Sequence, residues 1–509
     1  MTLTVPILPG ECWYGLAAAH GMKMPVDENS VYSHHAADPG AYTGNQEAPL
    51  LLSSKGRYVW SDSPFDTDAR DGVLTFSRAA EDLALQDGFG TLRGAYLAAC
   101  REHFPPSGQM PDELFFRVPQ YNTWAELIYD QDQASILAYA RGIRDNGLPP
   151  GILMIDDGWM NYYGSRSFRH DRFPDPAAMF RELHELGVRT MLWVVPFVSP
   201  DSPEFRELSR RGLLIQGADG SPAIRNWWNG YSALVDLSNP AGEAWFCDYL
   251  DSFLALGCDG FKFDAGDVYH FRNDDRTAGG ERAHEMSRRW AFLGLKYRFN
   301  EYRASWKCGS LPLVERLCDK AHRWESVARL IPDALLSGLL GYPFCCPDMI
   351  GGGSFTDFLP GAPSLSPELF ARYAEVAALM PMMQFSAAPW RVLDEEHAEI
   401  CRAMGRLHAS HAGRIVSLAK HAAETGEPVI RMLEYEFPGE GYERTFDCFL
   451  LGSDLLAAPV LGAGEREKTV RLPRGEGCRW RGPDGTVYEG GETVTVPAPA
   501  DCLPFFERI

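Results

Sequence analysis

The segment GILMIDDGW, Gly151–Trp159, constrains the fold more than any other stretch. It is a short unbroken apolar run ending in two acids, preceded by the helical pattern ASILAYARGIRDNGLPP, which Gly147 and Pro149-Pro150 close. The same order returns downstream. PDPAAMFRELHELG, with Asp175 at its start and Gly187 at its end, leads into VRTMLWVVPFV, and PAGEAWFCDYLDSFLALG leads into CDGFKFDAGD. Apolar runs that do not alternate are strands buried on both faces, which belong to parallel sheets with helices between the strands. Sustained from about residue 114 to 410, this rhythm predicts an α/β fold, a (β/α)₈ barrel rather than an open sheet.

The flanks have a different texture. LLLSSKGRYVWSDSPF and GVLTFSRAAEDLAL, before the barrel, read as short strands and hairpins. CFLLGSDLLAAPVL, EKTVRLP and TVYEGGETVTVPAP, after it, read as a small antiparallel β-sandwich domain. The expected organisation is a short N-terminal β domain over 1–110, the barrel over 111–410 and a C-terminal β domain over 411–509. Net charge is −21, spread along the chain, which argues against nucleic acid or an anionic membrane as partner. The N-terminus lacks the features of a signal peptide, and no apolar run is long enough to span a bilayer. Twelve cysteines without a C-x-x-C pair read as reduced thiols in a cytoplasmic protein, with no zinc site. His34 and His35, in SHHAADPG, have no partner at metal-ligand spacing and read as a surface loop. The triple glycine at Gly351–Gly353 lacks the Lys-Ser/Thr of a phosphate loop. No metal or organic cofactor is expected.

Side chains at the C-terminal ends of barrel strands face the active-site mouth. Asp156, Asp157 and Asp264 occupy such ends. One aspartate after a strand is as readily a helix N-cap; three of them, near Trp159 and Trp193, point to a site. Lys262 lies two residues before Asp264 and shares its face of the strand, where it can hold that carboxylate ionised or donate to a substrate hydroxyl. Asp267 is as readily a cap for the next helix.

These residues resemble the motifs of glycoside hydrolase family 31, retaining α-glycosidases built on a (β/α)₈ barrel flanked by β domains. GFKFDAGD looks like the family's nucleophile motif and implies Asp264 as nucleophile; DKAHRW resembles the acid/base segment and implies Asp319. Arg303, in EYRAS, matches a substrate-binding arginine, and GLLGYPFCCPDMIGGG resembles the Gly-rich strand ending in Asp348. MPMMQFSAAPW stands where many members carry an Arg-x-His-like segment, a departure from the α-glucosidase pattern that leaves Gln384 and Trp390 to shape the site. LMIDDGW, FVSPDS, WWNGYS, FKFDAGD and PDMIGG together look most like the branch associated with α-galactosidase activity.

The resemblance implies double displacement through a covalent glycosyl-enzyme. Asp264 would be ionised and Asp319 held protonated until the leaving oxygen needs its proton. Asp156 and Asp157 would hold the 4- and 6-hydroxyls, provided the strand ends or bulges between them. Arg303 would bind a hydroxyl near the anomeric carbon, and Trp227 and Trp228 would wall the sugar, with Trp193 behind them. The expected partner is a small carbohydrate, an α-galactoside or α-glucoside, and the sequence leaves open a homo-oligomer. Competing readings are an α-glucosidase or transglycosylase using the same aspartates, a sugar-binding protein on an inactive barrel, and a metal-dependent hydrolase.

Overall fold

The computed structural model describes residues 2–80, 82–359, 362 and 365–509. Its centre is a ring of parallel strands: Gln120–Asn122, Ile152–Ile155, Arg189–Val194, Gly260–Phe263, Phe299–Tyr302, Val314–Arg316, Cys345–Cys346 with Met349–Ile350, and Gln384–Phe385. Cys345–Cys346 pairs with the sixth strand and Met349–Ile350 with the eighth, so one segment, bent at Pro347-Asp348, closes the barrel. Four of the helices packed outside it start by a repeated device. Asp175-Pro176, Ser202-Pro203, Asn239-Pro240 and Ser366-Pro367 each put a capping side chain before a proline whose missing N–H costs the first turn nothing.

Strand register sorts side chains between the barrel interior and the helix layer. Trp193, Lys262 and Glu301 lie side by side on the third, fourth and fifth strands. Glu301 accepts from Gln384 Nε2 across the barrel at 2.8 Å, which marks this row as the inner one. Phe261 and Phe263 point the other way, onto Tyr297 and Trp290. Asp264, two residues beyond Lys262, therefore belongs to the inner set.

The N-terminal residues form two antiparallel sheets. One is joined edge-on to the barrel: Ser305-Trp306, just past the fifth barrel strand, pairs in parallel with Gln46–Ser53. These sheets and the barrel share one continuous hydrophobic core, whereas the C-terminal sheet adds a second core around Leu450, Leu472, Trp480 and Phe506. The helix Glu395–Thr425 runs unbroken through residue 411, so the boundary expected at 410/411 falls inside it and the C-terminal strands begin with Ile430-Arg431. The two adjacent histidines also lie elsewhere than expected. They sit on the strand Tyr32–His35, with His34 buried against Glu47 Oε2 at 3.3 Å.

Glu315 lies at the seam between sheet and barrel, fully buried, accepting from Ser305 Oγ at 2.9 Å and from Gln46 Nε2. Burial pushes its carboxyl up to about 8, against the pull of those two donors. A carboxyl raised above its unfolded value binds its proton better in the folded chain. Its stabilising contribution is complete below about 4.5 and is lost as pH rises through about 8. Urea unfolding at pH 6 and pH 9 should show the wild type losing up to about 1.4 kcal/mol per pH unit from this group. Glu315→Gln should lack that slope, and equal slopes in the two proteins would disprove the account.

Candidate active site

Asp264 caps the fourth strand, its N–H bonded to Val194 O at 2.9 Å. Its Oδ1 accepts from Arg303 Nε and from the Ala265 N–H, both at 2.8 Å, and its Oδ2 accepts from Trp193 Nε1 at 2.8 Å. Burial alone would raise this carboxyl. Arg303, then Lys262, the indole N–H and Arg316 more than reverse that and hold it well below the usual range. The chain turns sharply here, with Ala265 at φ 54°, and a Cβ on Gly266 would stand 2.0 Å from the Trp290 ring. The small pair Ala-Gly is therefore what lets the loop lie flat on the helix behind it.

Lys262 does not bond Asp264 directly. Its Nζ donates to Asp156 Oδ2 at 2.6 Å, and only its charge reaches Asp264. The second strand ends at Ile155, so Asp156 and Asp157 both reach the cavity, as the strand-end reading required. Gln131 fastens this turn, donating from Nε2 to both aspartate carbonyls at 2.6 Å. Asp157 Oδ2 accepts from Asn229 Nδ2 at 2.5 Å and Tyr163 OH at 3.2 Å. Burial, and then the neighbouring Asp156, push its carboxyl up to about 7.

Arg303 is less free than a hydroxyl-binding arginine would be. It spans Asp264 and Asp267, the latter through Nη2, and lies 5.0 Å over the Trp228 ring. Asp267 makes no side-chain cap; burial raises it to about 6 despite Arg303. Asp319 stands at the rim with its side chain 42% exposed, its Oδ1 held by Arg316 Nη1 at 2.6 Å. Gly353 backs it: a Cβ there would be 2.6 Å from Asp319 Cγ. Gly353→Ala should therefore displace the carboxylate and cost about 10²-fold in kcat/KM, with the melting temperature nearly unchanged. Full activity would show that Asp319 tolerates the shift.

These residues line one cavity of about 630 Å³: Asp156, Asp157, Lys262, Asp264, Arg303, Arg316 and Asp319, with Trp193 and Trp228 on one side and Trp124, Tyr129 and Phe355 on another. Trp228 lines the cavity as expected, but Trp193 and Trp227 exchange their expected places. Trp193 and half-exposed Trp228 face the cavity, while Trp227 is buried behind, stacked on Trp193 at 6.5 Å and on Phe197 at 4.5 Å. The reason is the hairpin Ile224–Trp227/Gly230–Leu234, whose two-residue tip, Trp228-Asn229, is the part that projects. Asp348 is also not a wall residue. It is fully buried and holds the sixth-strand loop from behind, accepting from the Lys320 N–H at 2.9 Å and Tyr373 OH at 2.8 Å. Gln384 braces Glu301 inside the barrel, and Trp390 packs against Tyr139 in the helix layer.

Arg316, Asn229, Tyr163 and the aromatic trio escaped the sequence reading. Only Arg316 carried a usable signal, as the polar end of the apolar strand LPLVER. Among the described residues, no group of three or more His, Cys, Asp or Glu side chains could hold a metal ion. No helix among them is long and apolar enough to cross a membrane.

A (β/α)₈ barrel that brings a buried carboxylate and a second, reachable one into an aromatic-edged cavity has the two groups that act together on a glycosidic bond. Comparison with known proteins agrees. Residues 118–306 match the TIM-barrel domain of glycosyl hydrolases family 31, and residues 426–509 match that family's C-terminal domain. The myogenesis-regulating glycosidase of Mus musculus is 34% identical over an alignment 419 residues long that covers 79% of this chain and 57% of that protein. An alpha-xylosidase of Emericella nidulans is 27% identical over 98% of this chain and 66% of its own length. A glycoside hydrolase family 31 dextranase of Flavobacterium johnsoniae, solved with glucose, superposes with a TM-score of 0.84 at 20% identity, covering all of this chain and 66% of that one. This chain thus spans less than two thirds of the mouse protein it matches. It belongs to glycoside hydrolase family 31.

Proposed function

We propose that this chain is a retaining α-glycoside hydrolase, with α-galactosides as its leading substrate class. One observation carries the reading: Asp264, buried and held ionised by Arg303, shares a cavity with the exposed carboxylate of Asp319. Asp264 attacks the anomeric carbon as the bond to the leaving oxygen breaks, and a covalent glycosyl-enzyme forms. Arg316 takes Asp319 Oδ1, so the proton given to the leaving oxygen belongs on Oδ2. Water then loses a proton to Asp319, attacks the same carbon and frees Asp264, and the configuration is retained.

The sugar hydroxyls fall to Asp156, Asp157 and Lys262, whose three side chains offer acceptors and a cation within one wall. Asp157, poised near 7, can accept from a hydroxyl or donate to it. The α-galactoside assignment rests on the motif likeness to the branch associated with that activity. The cytoplasmic setting stays part of this proposal, as does a three-domain division with its last boundary moved past the helix Glu395–Thr425.

Initial rates on aryl α- and β-glycosides, with the first-formed anomer followed by NMR, test the reading. Turnover of the α-galactoside with release of the α-anomer first supports it in full. Preference for an α-glucoside keeps the mechanism and removes the specificity. Transfer to added sugar in place of hydrolysis would make the chain a transglycosylase. No turnover on aryl glycosides or on a disaccharide panel would leave a sugar-binding role.

A further inference from the structure

From the N-terminal sheet's edge loop, we infer that Asn45 is a positioning residue, bracketing the two loops that carry the reacting aspartates. The inference rests on the hydrolase reading above. Asn45 is fully buried. Its Nδ2 donates to the Arg303 carbonyl at 3.2 Å, and its Oδ1 accepts from the Cys318 N–H at 3.3 Å. Arg303 holds Asp264, and Cys318 immediately precedes Asp319. One amide therefore joins the backbone beside each carboxylate. Its orientation is fixed by the partners, since a carbonyl needs the NH₂ and an N–H needs the oxygen.

The neighbours reinforce the bracket. Gln46 Nε2 donates to the same Arg303 carbonyl at 3.0 Å and to Glu315 on the sixth strand. Tyr42 OH ties the loop down, bonding the carbonyls of Ser305, at 2.7 Å, and of Asn45 itself. Gly44 presses against the far side of the arginine clamp, where a Cβ would meet Asp267 Oδ1 at 3.3 Å and Arg303 Nη1 at 3.7 Å. Two side chains hold the backbone N–H groups on either side of Asp319, Asn45 at Cys318 and Asp348 at Lys320. Of these two holders, Asn45 is the one that also bonds the Arg303 backbone.

The spacing of two carboxyl groups separates retaining from inverting chemistry, and a displacement of about 1 Å costs about 10²-fold in rate. A side chain that spans both loops sets that spacing without touching substrate. Asparagine suits this role: aspartate lacks the donor, and serine is too short to reach both partners.

The test compares wild type with Asn45→Ala, using Asn45→Ser if alanine prevents folding. Both kcat/KM over a leaving-group series of aryl α-glycosides and amide hydrogen exchange across 303–319 are measured. The bracket predicts a loss of about 10-fold on the best leaving group and about 100-fold on the poorest, because Asp319 matters most where proton donation is needed. It also predicts faster exchange at Cys318 and Asp319. Asn45→Asp, which keeps the acceptor for Cys318, should lower rates while leaving the leaving-group slope near that of wild type. A uniform loss across the series would make Asn45 a structural tie only, and unchanged exchange would overturn the bracket itself. Should wild type hydrolyse no α-glycoside, the hydrolase reading falls, and the exchange arm still decides whether Asn45 joins the two loops.

Discussion

Asp264→Asn is expected to lower kcat for every α-glycoside by about 10⁴-fold or more, with the protein still folded. Asparagine keeps the shape but has no negative charge and no nucleophilic oxygen pair for the anomeric carbon. Its amide has one oxygen for three donors, Arg303 Nε, the Ala265 N–H and the Trp193 indole N–H. At least one of those donors must then face the NH₂ group. Arg303 keeps Asp267 as counter-ion, so the arginine is not stranded, and the fold should survive a loss of roughly 1–3 kcal/mol. The contribution of Asp264 to stability, like that of any carboxyl whose acidity rises on folding, is complete above about 3.8 and is lost only as pH falls through the folded value. The variant should therefore differ from wild type in stability at neutral pH and converge with it in strong acid. Initial rates and urea unfolding of the same preparation measure both. More than a few per cent of wild-type turnover would remove Asp264 from the nucleophile's role.

Asp264 was readable in the sequence because the physics is local. A buried strand ends, the alternation puts Lys262 and Asp264 on one face, and Ala-Gly allows the turn. Asp156 and Asp157 were readable for the same reason, since a strand that ends at Ile155 releases both side chains. What was not readable depends on which strands become neighbours. Lys262 could have served either carboxylate; only the closed ring brings Asp156 within 2.6 Å and makes it the partner. Trp227 and Trp228 are adjacent and chemically alike, and the tight hairpin decides which is wall and which is core. Asp348 carries an acidic motif in a Gly-rich strand, yet the bend at Pro347 that closes the barrel turns it inward to Tyr373 and Lys320. Asn45 gave no signal, because its partners lie 258 and 273 residues away, on loops that follow two barrel strands.

Arg316→Met carries the second large effect, and it follows from a buried cation that three carboxylates share. Arg316 is 1% exposed. It holds Asp319 at 2.6 Å and lies 3.6 Å from both Glu301 and Asp348. Methionine fills much of the volume but leaves those acids facing one another. Removing one partner from a buried ionic cluster costs about 3–5 kcal/mol, far more than a surface pair is worth. Part of that cost can be escaped by protonation, which makes the effect depend on pH in a fixed direction. Burial already raises Glu301, and raises Asp348 to about 6. Without the arginine both rise further. A raised carboxyl contributes stability that is complete below its unfolded value and lost as pH climbs through its folded value. The deficit of the variant should thus be small near pH 5 and approach its full size near pH 8. The Lys320 N–H and Tyr373 O–H still satisfy Asp348 Oδ2, so the fold has reason to persist at the acid end. Turnover should fall most for poor leaving groups, because Asp319 loses the contact that holds it at the rim. Urea unfolding at pH 5 and pH 8 decides the matter: a deficit equal at both pH values, or none at all, would mean that the carboxylates around Arg316 do not depend on it for their charge.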